Sequence, residues 1–192
     1  MGEGTGHEQP SANLRLMHSE TPSVIDELIL NADLRQKDFP GPHSVIPEKH
    51  IAVVTCMDSR IDVFRILGLN SGEAHIIRNA GGIVTDDVLR SLVLSQRFLQ
   101  TREVLLVHHT DCGLQRFSED EFRERITREV GLEPPYAFGA FTDIDASVRQ
   151  SIARVGDHPF LPHRVHVRGF VYDVNTGKTR EVIPAMASDR RP

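Results

Sequence analysis

The sequence predicts an α/β fold built on a parallel sheet. Three observations carry this: apolar, β-branched runs alternate with helical periodicity, the runs lack the apolar/polar alternation of a half-exposed strand, and glycines close the segments between them. A chain of 192 residues with 39% hydrophobic and 26% charged residues suits one domain with a sizeable core.

Residues 1–20 carry glycine, polar residues and Pro10 without apolar periodicity, and read as a mobile arm ahead of a domain spanning 21–192. "TPSVIDELILNADLRQ" then offers Thr21 as an N-cap, Pro22 at the first helical position and apolar residues at helical spacing. "FPGPHSVIPEKH" breaks that helix with three prolines and a glycine. "HIAVVTC" is a strand of the kind buried on both faces. "DVFRILGL" is a short helix closed by Gly68, and "EAHIIRNA" is a second strand leading to the pair Gly81 and Gly82. "VTDDVLRSLVLSQRFLQ" is an amphipathic helix with acidic residues in its first turn, where the helix dipole favours them. "EVLLVHH" is a third strand, so right-handed crossovers are expected. Helices follow around "SEDEFRERITREVG" and "TDIDASVRQSIARVG", separated by a loop with Pro134 and Pro135. "HRVHVRGFVYDVNTGKTREVI" supplies two strand-like runs joined by a turn at "NTGK".

The formal net charge of −5 argues against nucleic acid as a partner, because phosphate backbones are held by clustered Lys and Arg. No apolar stretch is long enough to cross a bilayer, and the N-terminal segment has neither the basic region nor the apolar core of a secretory signal. Its Met-Gly start fails the myristoylation pattern, since position six is Gly. A cytoplasmic location is expected. The two cysteines, Cys56 and Cys112, then point to packing, redox chemistry or metal binding rather than a disulfide scaffold. No Cys-x-x-Cys supports the redox option.

Both cysteines stand where an apolar run ends. In open parallel sheets, ligands collect outside the carboxyl ends of the strands. If the first and third strands are neighbours, about 4.8 Å apart, Cys56 meets His109 and Cys112 although they are remote in sequence. Two thiolates and an imidazole suit zinc, and three protein ligands leave a fourth position open, the mark of a catalytic site. Taken alone, a cysteine at a strand end is most often a small buried hydrophobe. It is the second strand end, with Asp58 and Arg60 beside it, that favours the metal. Asp58 and Arg60, at alternate positions, are placed for a bidentate pair. Zinc with two thiolates and a neutral histidine is nearly uncharged, so a fixed cation such as Arg60 would help hold a developing hydroxide, and Asp58 would accept its hydrogen bond.

"CMDSR" followed by "HHTDCG", with "RNAGG" between, resembles the β-class carbonic anhydrase family, over roughly residue 20 to the C-terminus. The resemblance implies a parallel four-stranded core with an added antiparallel strand, flanked by helices. It implies zinc on Cys56, His109 and Cys112, Asp58 and Arg60 as the catalytic dyad, and a homodimer or dimer of dimers. The implied activity is a lyase reaction, reversible hydration of carbon dioxide to bicarbonate by a zinc-bound hydroxide. Relatives with the same ligands hydrolyse carbonyl sulfide or carbon disulfide, and a non-catalytic zinc protein is a further alternative. Some members hold the counterpart of Asp58 on the metal in an inactive state. A subset stabilises that state through a bicarbonate pocket built partly from Trp, which this chain lacks.

His108 departs from the family pattern, which has Gly before the ligand histidine. Neighbours on an extended chain face opposite ways, so His108 is expected to pack or hydrogen-bond beside the site rather than ligate. Asp111 is expected to serve a turn or cap. Gly81 and Gly82 are candidates to line a substrate pocket, whose residues the sequence does not identify. The remaining histidines, including His158, His163 and His166, are expected to be solvated or structural.

Overall fold

The computed structural model describes residues 23–183. The chain divides into two compact units, Met1–Pro42 and His43–Pro192. The expected arm, residues 1–20, lies outside the described residues, as do Thr21 and Pro22.

In the first unit, helix α1 spans Val24–Arg35, and its N-cap is Ser23 rather than the expected Thr21. The reason is a reciprocal capping box. Ser23 Oγ accepts from the Asp26 N–H while the Asp26 carboxylate accepts from the Ser23 N–H, at 3.2 and 3.1 Å.

The second unit holds a five-stranded sheet in the order β2-β1-β3-β4-β5. Its strands are β1 (Ile51–Cys56), β2 (Ala74–Asn79), β3 (Glu103–His109), β4 (Val167–Tyr172) and β5 (Thr179–Val182). The first four are parallel, and β5 pairs antiparallel with β4 across the turn at residues 175–178. This is the four-plus-one arrangement that the resemblance implies.

Among the described residues of the unit, four α-helices flank the sheet: α2 (Val63–Leu67), α3 (Asp86–Arg97), α4 (Glu119–Val130) and α5 (Ile144–Gly156). Gly68 closes α2 in the left-handed region, at φ 63°. The periodicity of the strands decides the two faces. Ala52, Val54, Val104 and Leu106 pack with Val88, Leu92 and Val155 of α3 and α5. Val53 and Val107 pack with Val63 and Leu67 of α2. Central strand β1 is therefore covered on both sides, as its unbroken β-branched run requires.

Register places the chemistry. Cys56 ends β1 opposite Asn79 of β2, and the β1–β3 pairing ends at Thr55 and Val107. β3 continues to His109, paired with Tyr172 of β4. The two strand ends therefore open at the same edge of the sheet, side by side.

Candidate metal centre

Cys56, His109 and Cys112 come together at that edge, their ligand-type atoms all within 4.8 Å of one another and all three residues buried. His109 Nδ1 lies 2.9 Å from the Thr110 carbonyl, which can only accept, so Nδ1 carries the proton and Nε2 the lone pair. That Nε2 is buried and has no hydrogen-bond partner among the described residues. A buried acceptor left unmatched between two thiols is costly unless a cation takes it. The donor set therefore fits a soft to borderline divalent metal such as zinc.

The titration behaviour points the same way. The Cys112 thiol, hydrogen-bonded to Cys56, lowers the Cys56 pKa against the opposition of burial, with His109 adding to the fall. Cys112 is pushed up in turn by Cys56 and by burial. The pair thus holds a single proton firmly, where a metal would take its place. Burial disfavours charge on His109, but the Cys56 thiolate, the Thr110 carbonyl and Asp58 outweigh it and raise its pKa. The pocket draws in positive charge.

Beside the donors, Asp58 and Arg60 form the expected bidentate pair. Arg60 Nε donates to Asp58 Oδ1 at 2.9 Å and Arg60 Nη2 to Oδ2 at 2.7 Å, and the Arg60 backbone N–H adds a third bond at 2.9 Å. Arg60 therefore holds the Asp58 carboxyl well below its usual range, so that it stays ionised and can only accept. Asp58 Oδ2 stands 3.8 Å from His109 Nε2.

His108 is fully buried on the side of the sheet opposite to its neighbour, with its ring 6.0 Å from that of Phe141. Burial pushes its pKa down to about 4. It packs beside the site as expected, with the Gly82 backbone opposing part of the fall.

Gly82 supports the site from beneath. At φ +66° it lies under β1, and a Cβ there would stand 2.8 Å from both the Cys56 nitrogen and the Thr55 carbonyl carbon. Ile83 and Phe141 pack against Cys56, Cys112 and Leu114 on one side and line a cleft of about 750 Å³ on the other.

One contributor was not singled out by the sequence, and another does more than the turn expected of it. Arg78 of β2 donates from Nε to the Cys56 carbonyl at 2.9 Å and from Nη2 to the Asp58 carbonyl at 2.8 Å, fixing the loop that carries both residues. Its signal was available, since it is the one charged side chain in "AHIIRN". Asp111 sits in a turn as expected, at φ 56°, but its carboxylate also binds Arg60 and Arg116.

Residues 51–131 match the family model described as carbonic anhydrase. The chain is 49% identical over 162 residues to "Beta-carbonic anhydrase 1" of Mycobacterium tuberculosis, covering 84% of this chain and 99% of that protein. The chain belongs to the β-carbonic anhydrase family. Among solved structures, the carbonic anhydrase from Streptococcus mutans superposes with a TM-score of 0.79 at 44% identity, covering 85% of this chain and 99% of that one. Within the same family, a carbon disulfide hydrolase of Saccharolobus solfataricus is 34% identical over 158 residues, covering 70% of this chain and 78% of that protein. No helix among the described residues is long and apolar enough to cross a membrane.

Proposed function

We propose that this chain is a lyase that reversibly hydrates carbon dioxide to bicarbonate, with zinc on Cys56, His109 and Cys112 and with Asp58 and Arg60 as the working dyad. One observation carries the reading: three buried donors converge beside a carboxylate that is held ionised. A purely structural zinc site would need no such carboxylate.

Zinc, when bound, supplies Lewis acidity that lowers the pKa of water, so that a nucleophile exists near neutral pH. Everything else is the work of the chain. The two thiolates would offset the charge of the cation, and the hydrogen bond from His109 Nδ1–H to the Thr110 carbonyl leaves the Nε2 lone pair free to bind it. Asp58, unable to donate at neutral pH, accepts the hydrogen of the attacking water and turns its lone pair toward the substrate carbon. Arg60 fixes both oxygens of Asp58 and places a permanent positive charge beside the reacting oxygen. The substrate is neutral and linear, so positioning and exclusion of bulk water matter more than charged recognition.

A second reading keeps the same residues and changes the substrate to carbonyl sulfide or carbon disulfide, and the carbon disulfide hydrolase relative is what favours it. The experiment is a side-by-side assay of the zinc-loaded protein for carbon dioxide hydration and for sulfide release, with Cys56→Ala as the blank. Fast hydration that disappears with the zinc in Cys56→Ala is the expected result. Sulfide release with weak hydration would transfer the mechanism to the second reading. Full zinc occupancy with neither activity would overturn both.

The working unit proposed is a homodimer or a dimer of dimers. Its support is α1, which carries six large apolar residues (Val24, Ile25, Leu28, Ile29, Leu30 and Leu34), each more than half exposed in the single chain. Sedimentation of the full chain tests it. Two unpaired buried thiols fit the reducing cytoplasm, where we place the protein.

A further inference from the structure

We infer that Asp111 is a positioning residue for the Asp58–Arg60 pair: by mooring Arg60 it keeps the Asp58 carboxylate turned away from the metal donors. This inference rests on the zinc-hydration reading above.

The argument begins with the donors of Arg60. A guanidinium has five N–H groups in a rigid fork. Nε and one N–H of Nη2 go to Asp58. The other N–H of Nη2 goes to the Asp111 carbonyl at 2.9 Å, and Nη1 goes to Asp111 Oδ2 at 2.7 Å. Arg60 is thus held at two points by a residue 51 positions away, on the turn that also carries the third ligand, Cys112. The remaining oxygen of Asp111 accepts from Arg116 Nη2. The result is a chain of alternating charge, Arg116–Asp111–Arg60–Asp58, ending at the metal donors.

Residue 111 is chosen by backbone as well as charge. Its φ of 56° lies in the left-handed region, which Asp and Asn tolerate better than other non-glycine residues. That turn is what brings the carbonyl and the carboxylate of one residue to the same guanidinium.

The consequence concerns Asp58. Its Oδ2 is 3.8 Å from His109 Nε2, so a modest rotation would make it a competing ligand for the same cation. Three hydrogen bonds from Arg60 resist that rotation, and they resist it only as far as Arg60 itself is fixed. With Asp111 removed, the Asp58–Arg60 pair remains joined but loses its tie to the Cys112 turn.

The test uses the full chain loaded with zinc for rates and with cobalt for visible spectra. In Asp111→Asn, which suits the left-handed backbone, we expect one metal per chain, kcat reduced roughly tenfold and KM changed less than about twofold. The cobalt spectrum should shift as the Asp58 carboxylate enters the coordination sphere. In an Asp58→Asn background, adding Asp111→Asn should change neither kcat nor the spectrum, because the residue acts through Asp58. Arg116→Gln should move both readouts in the same direction by a smaller factor, and it decides the matter if Asp111→Asn fails to fold. A wild-type rate and spectrum in Asp111→Asn would overturn the inference. So would an equal loss of rate in both backgrounds. Inactivity of the zinc-loaded wild type would instead sink the hydration reading, and the cobalt spectra would still report where Asp58 lies.

Discussion

Gly82→Ala is the substitution whose effect can be worked out most directly. Gly82 has a φ of +66°, and an L residue held there costs about 1–2 kcal/mol. The added methyl would also lie 2.8 Å from the Cys56 nitrogen and the Thr55 carbonyl carbon and 3.1 Å from the Thr55 Cα. These are backbone atoms of a central strand and cannot swing aside as a side chain does, so a further ~1–3 kcal/mol of overpacking follows. A total of about 3 kcal/mol, in a chain of this size, lowers Tm by roughly 6–12 °C. The strand end that must move is the one bearing Cys56, so zinc affinity should fall with stability. Calorimetry on the zinc-loaded protein, with metal content measured in parallel, reads both. Gly113→Ala is the control, since a Cβ there meets nothing within 4 Å, and its effect should stay within about 0.5 kcal/mol. A Gly82→Ala protein that melts within about 2 °C of wild type and keeps its zinc would refute the reasoning.

Arg78→Ala removes the donors to the Cys56 and Asp58 carbonyls, so stopped-flow hydration should show kcat down by roughly tenfold with the fold retained. Chelating the zinc should expose both thiols to alkylation, measured by mass, whereas the loaded protein should be protected. Glu119 gives a pH test. Burial pushes its carboxyl up, but the N–H groups of Ala140, Phe138 and Gly139, together with Arg123, outweigh it, and its pKa lies below the ordinary 4.5. Its stabilising contribution is therefore complete above the unfolded value and is lost as pH falls through the folded one. Glu119→Gln should melt lower than wild type at neutral pH, and the gap should close as pH falls through the lowered folded pKa in a series of thermal melts.

The sheet was legible because its strands declare themselves by residue type: β3 occupies "EVLLVHH" from end to end, and β1 starts one residue inside "HIAVVTC". The start of α1 was misread because Thr21 and Ser23 are both good caps, and only the return bond from Asp26 separates them. At the candidate metal centre, cysteine and histidine carry their chemistry in their names, and Asp58 and Arg60 pair at a local spacing. Alternation along an extended strand also predicted that His108 and His109 would part company. The tie of Asp111 to Arg60 and the role of Arg78 escaped the sequence for one physical reason. Each acts across segments, through a guanidinium reaching a backbone carbonyl. The direction of a carbonyl beyond a strand end is set by the loop, and no periodicity records it.

That same feature explains how the site is tied to the fold, in a small core cluster of its own beyond the strand ends. β3 keeps its pairing with β4 two residues past the point where β1 and β3 part, and the Thr110 N–H continues the line to the Tyr172 carbonyl at 2.9 Å. His109 is therefore held by the ladder, whereas Cys56 is held by Arg78 above and Gly82 beneath. Cys112 hangs from the turn that Asp111 anchors to Arg60. The three proposed ligands thus have three separate moorings, made through the backbone and a guanidinium. Substitutions at the moorings should cost metal geometry and rate before they cost the sheet. Substitutions at Val54 or Leu106, packed between the strands and α3, should cost the sheet first.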